Sequence, residues 1–67
     1  MIPTTYDAWR HCIEIDCQQP LTADFIAFRI AELRDTAHER TAQFVRLYGE
    51  SHRLRVLGWF ERAGAGG

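Results

Sequence analysis

The chain has 67 residues, 46% of them hydrophobic and 25% charged, with eight basic residues against nine acidic ones and a net charge of −1. That length allows a single domain with a marginal core, and the composition excludes a disordered chain and a strongly cationic nucleic-acid binder. No apolar run approaches the ~20 residues that span a bilayer, and the opening MIPTTYDAW has neither the basic leader nor the apolar core of a signal peptide, so a cytoplasmic location is expected.

All eight basic residues are Arg, and Lys and Asn are both absent. These two residues share AA-leading codons, so their joint absence points to a GC-rich gene, expected on a bacterial or phage mobile element. It also weakens any inference that Arg was selected to bind phosphate. Residues 1–33 carry two Arg against five acids, and residues 34–67 carry six Arg against four, so the halves differ in sign.

The first predicted helix covers about 5–18. Thr4 can cap it with Asp7 three residues on, Tyr6, Trp9, Ile13 and Cys17 recur at helical spacing, and Pro20 ends it. This helix contains HCIEIDC, residues 11–17, in which His, Cys, Glu and Asp are all potential metal ligands. At ~100° per residue they scatter around the helix rather than converge. The five-residue step from Cys12 to Cys17 suits neither a zinc pair nor a disulfide. Cys17 is expected buried and Cys12 partly so, both as free thiols.

The second helix covers about 22–34, with Thr22 as N-cap and Leu21 and Ile26 placed as a hydrophobic staple. Ala23, Ile26, Ala27, Ile30 and Leu33 form one apolar face. Phe25 and Phe28 lie on the other side, among Asp24, Arg29 and a solvated Glu32.

Thr36 and Glu39 make a capping box for the third helix. Gly49 either ends it or sits within it. The stripe Thr41, Val45, Tyr48, His52, Val56, Trp59 and Ala63 keeps helical phase across Gly49, which favours one long helix over about 36–62, bent there. The Gly-rich tail, 64–67, is expected to be disordered. The fold expected is all-α: one domain over 1–63, a three-helix bundle with a long C-terminal helix, or four helices if Gly49 breaks it.

Catalytic and metal readings find no support in these residues. His38-Glu39 matches the start of the zinc-protease pattern H-E-x-x-H, but Ala42 stands where the second His belongs. Ser51 and His52 are neighbours on a helix and point ~100° apart, so they cannot pair as nucleophile and base. No enzyme, metal or cofactor is expected.

Two interaction readings remain. The apolar surplus of Phe25, Phe28, Leu47, Leu54 and Leu57 exceeds what so small a core can cover, and Leu47, Leu54 and Leu57 are spaced as a coiled-coil seam. A protein-interaction module is therefore expected, either a homodimer burying about 1,000 Å² or an adaptor or inhibitor of a larger protein. The alternative is a helix-turn-helix regulator. Helix two, the Arg34-Asp35-Thr36 turn and the helix after it have suitable spacing, with His38, Gln43, Arg46, Arg53 and Arg55 as nucleic-acid contacts. Glu39 and the acidic net charge count against it.

Overall fold

A computed structural model describes residues 3–66, and expectations that concern Met1, Ile2 and Gly67 lie outside the described residues. Among those described there are four α-helices and no strand: α1 (Tyr6–His11), α2 (Ala23–Arg34), α3 (Glu39–Tyr48) and α4 (Glu50–Gly64). A π-helical segment, Cys12–Asp16, continues α1. No helix among the described residues is long and apolar enough to cross a membrane.

The first helix departs from the expected regular helix. Thr5 rather than Thr4 is its cap, accepting from the Ala8 amide at 3.2 Å. From Cys12 the ladder widens, so the Cys17 amide donates to the Cys12 carbonyl five residues back at 3.0 Å. A π turn takes one extra residue, and Cys17 ends the segment as its C-cap. Cys17 is exposed, contrary to expectation, while Cys12 is half-buried and both thiols are free. Gln18 then adopts φ 53 and turns the chain out of the segment.

In α2 the Thr22 hydroxyl accepts from the Phe25 amide at 3.2 Å, so this helix starts where its cap predicts. Ile26 and Leu33 face the core. The α2 C-terminus leaves carbonyls in need of donors. The Thr41 hydroxyl donates to the Glu32 carbonyl at 2.6 Å, and Arg53 Nη1 donates to the Leu33 carbonyl at 2.6 Å. Both donors are buried, and a cation here also meets the negative end of the helix dipole.

Helix α3 starts at Glu39 rather than Thr36. The Asp35 carboxylate accepts from the Ala37 amide and holds residues 35–38 in a turn, and His38 Nδ1 accepts from the Arg40 amide as the cap. The continuous helix expected over 36–62 is interrupted at Gly49, which has φ 93 and ψ 158. This backbone region is essentially reserved for glycine. Gly49 closes α3 through its amide to Val45 and opens α4 through its carbonyl to Arg53. The expected disordered tail is also corrected in part: Gly64 is the last residue of α4, followed by a turn through Ala65 and Gly66.

The core consists of Tyr6, Trp9, Ile26, Leu33, Val56 and Phe60. Phe60 lies at its centre, with the Trp9 ring edge-on at 4.7 Å and Phe25 at 6.0 Å. Burial of each such side chain contributes about 1.5–3 kcal/mol.

Candidate functional site

A groove of about 630 Å³ runs between all four helices and is lined mainly by apolar and aromatic side chains. Each helix contributes to it. From α1 and the π segment come Trp9, Ile13 and Cys17, and from α2 come Phe25, Phe28 and Arg29. Helix α3 supplies Arg40, Phe44 and Tyr48, while α4 supplies His52, Val56 and Phe60. Concave apolar clefts of roughly 300–1,000 Å³ carrying a few polar groups are the usual form of a binding site. This one is a trough rather than a cavity, with Phe28 and Tyr48 on its lining at 61% and 46% exposure.

One wall is a run of rings that crosses the Gly49 break. Phe44 stacks on His52, with centroids 5.7 Å apart and planes 4° from parallel, and Tyr48 lies 5.0 Å from Phe44. His52 meets the edge of Trp59 at 6.0 Å, and Trp59 leads to Trp9 at 5.7 Å. Burial against these rings, and then the nearby Arg55 charge, hold the His52 imidazole below its ordinary pKa. His52 is thus half-buried on the ring wall, and Tyr48, expected on the buried stripe, is exposed.

Charge gathers around Glu32, which pairs with Arg29 and Arg40 of the groove lining. Sequence periodicity puts Glu32 on a solvated face, yet the structure buries it because three cationic or protonatable side chains close over it. Arg29 pairs with it, and His38 Nε2 and Arg40 Nη1 each lie 3.9 Å from its carboxylate.

The structure divides the five expected interface residues. Phe28, Leu47 and Leu54 are exposed, the leucines at 66% and 54%. Phe25 and Leu57 are half-buried against the core. The leucine seam is therefore not assembled, since Gly49 redirects the chain between Leu47 and Leu54 and Leu57 turns inward. Among the expected nucleic-acid contacts, Gln43, Arg46 and Arg55 are exposed, and His38 is half-buried as the α3 cap. Arg53 is corrected: it is buried, with its guanidinium hydrogen-bonded to Glu50 and to the Leu33 carbonyl.

Ile15 and Tyr48 complete the set of exposed large apolar side chains. Ile15 lies opposite the Tyr6, Trp9 and Ile13 face, where helical spacing also puts it. Among the described residues, no three His, Cys, Asp or Glu side chains gather as a metal would require. The chain matches no protein-family model, and neither a curated protein nor a solved structure matches it significantly.

Proposed function

We propose that the chain is a small helical interaction module without catalytic chemistry, which receives an apolar segment of a larger protein in the groove between its four helices. The observation that supports this reading is the groove itself: an apolar floor built from every helix, with Phe28 and Tyr48 left in water along it. Such surface costs free energy in a free monomer and returns it when covered. Helix-in-groove recognition uses a floor of this kind.

Site-specific photo-crosslinking tests the reading. A benzoylphenylalanine at Phe28 or Tyr48, introduced in the native host, should trap the same protein from both positions and not from a control at Asp7 on the exposed side of α1. Equal trapping at all three positions, or at none, would overturn the proposal.

Self-association is a second reading, favoured by the outward Leu47 and Leu54 on α3 and α4. Light scattering at micromolar concentration should then find about twice the 7.8 kDa chain mass, and Leu54→Glu should split that species. A stable monomer rejects it. The nucleic-acid reading loses Arg53 from its contact set and gains no observation in return.

A further inference from the structure

The lining of the groove restricts what kind of segment it can seat. Arg29, Arg40 and His52 line it, and among the described residues no carboxylate does. Arg29 reaches over the floor, with its guanidinium 5.9 Å from the centre of the Phe60 ring. Arg40 is 72% exposed at the mouth. Both approach the same buried Glu32, so two guanidiniums face one carboxylate and a positive charge is left over. His52 adds none at neutral pH, because burial and Arg55 disfavour its protonation.

We propose that the occupant is an amphipathic helix of the partner protein, whose apolar anchors are flanked by Asp or Glu that meet Arg40 and Arg29. This rests on the interaction reading above and specifies the chemistry of the partner. Phe28 and Tyr48 line the groove and stand exposed on α2 and α3, and side chains at successive turns of a helix laid along it cover both. Charge argues against a second copy as occupant. The chain's outward leucines sit beside Arg46, Arg53 and Arg55, so they would bring Arg46 and Arg55 towards Arg40. Ile15 does have acidic neighbours, Glu14 and Asp16, but it lies on a five-residue π segment too short to fill the groove.

Two Trp-free helical peptides of about four turns, with the same Leu and Phe face but flanked by either Glu or Lys, provide the test through Trp9 and Trp59 emission. The Glu-flanked peptide should bind about fivefold to tenfold more tightly at low salt, with the gap closing as salt rises. Arg40→Glu, at an exposed position, should abolish or reverse the preference. Phe28→Ser should weaken both peptides while circular dichroism stays native. Equal binding of the two peptides to the native protein overturns this inference and leaves the crosslinking test of the interaction reading untouched. Binding of neither, with decanoate producing the saturating Trp response instead, overturns it in favour of a small amphiphile. Loss of position-specific crosslinking would remove the interaction reading on which it stands.

Discussion

The N-terminal segment, residues 6–17, and the unit formed by α2, α3 and α4 are held by different means. The three later helices pack against one another, α2 and α4 most extensively. Their contact is fixed by polar bonds as well as by rings, since Arg53 and Thr41 each close a carbonyl at the end of α2. The N-terminal segment is held mainly through its rings: Trp9 on Phe60 and Trp59, with Arg62 4.1 Å over Tyr6. Its helical ladder passes into a π turn after six α-helical residues, fewer than two turns, and the residue that follows, Gln18, has positive φ. Polar bonds fix the register of the later helices, whereas ring contacts, which are less directional, join the N-terminal segment to them.

Phe60→Ala should loosen both regions at once. Phe60 touches Trp9 on one side and Phe25 on the other. The truncation costs about 3–5 kcal/mol, against a total of about 5 kcal/mol for a domain at the small end of the range. Loss of the cooperative thermal transition is the expected result, and a sharp transition near the native temperature would refute the central place given to Phe60.

Glycine substitutions separate a required turn from an idle one within α3 and α4. Gly49→Ala should destabilise by about 1–3 kcal/mol, because alanine is strained at φ 93 and ψ 158. Gly58, inside α4 with nothing within 4 Å of an added Cβ, should become more stable as alanine by about 0.5–1 kcal/mol. Urea titrations of both variants check the opposite signs. A neutral Gly49→Ala would instead support one unbroken helix.

Two arginines sharpen the contrast between the regions. Arg53→Ala removes the side-chain donor to the Leu33 carbonyl in the α2–α4 clasp and should lower Tm by about 10 °C. Arg10→Ala removes a partly exposed pair with Glu14 and a 3.0 Å bond to the Tyr6 hydroxyl, both within the N-terminal segment, and should lower Tm by about 4 °C. Equal shifts would contradict the distinction between clasp and surface pair.

The smallest effect is that of pH. The folded state holds the His52 imidazole below the ordinary value of about 6.5. The unfolded chain therefore takes up the proton first, and stability rises with pH across that window. Stability should be full above about 6.5 and fall as pH drops from there through the lower folded value. The groups around His52 are Arg55 and the rings of Phe44, Tyr48 and Trp59. His52→Phe should flatten the profile between pH 7.5 and pH 5.5, read as Tm; an unchanged slope would assign it to other groups.

Much of the local architecture is legible in the residues. The all-helical character follows from caps and periodicity, and Thr22 marks the start of α2 because its hydroxyl needs only an amide three residues away. Phe28, Leu47 and Leu54 stand out as apolar surplus, and they are indeed exposed. The groove is another matter. Within each helix its lining follows helical spacing, as in Trp9, Ile13 and Cys17 or His52, Val56 and Phe60, but no spacing rule says which helices face one another across it. Phe60 falls beside the stripe drawn through Val56, Trp59 and Ala63, although it is the most central ring.

Caps, spacing and the Cys12–Cys17 step suffice to place the helical segments, the start of α2 and the free thiols, because these depend on groups a few residues apart. The π turn, the break at Gly49, the burial of Glu32 and Arg53, and the groove arise instead from packing between elements. Glu32 and Arg53 read as solvated charges from their own helices. They are buried because partners from other elements, Arg40 and His38 for one and the Leu33 carbonyl for the other, supply what water would have supplied. A charge can leave solvent only where such partners converge, and that convergence is a property of packed helices rather than of any one stretch of chain.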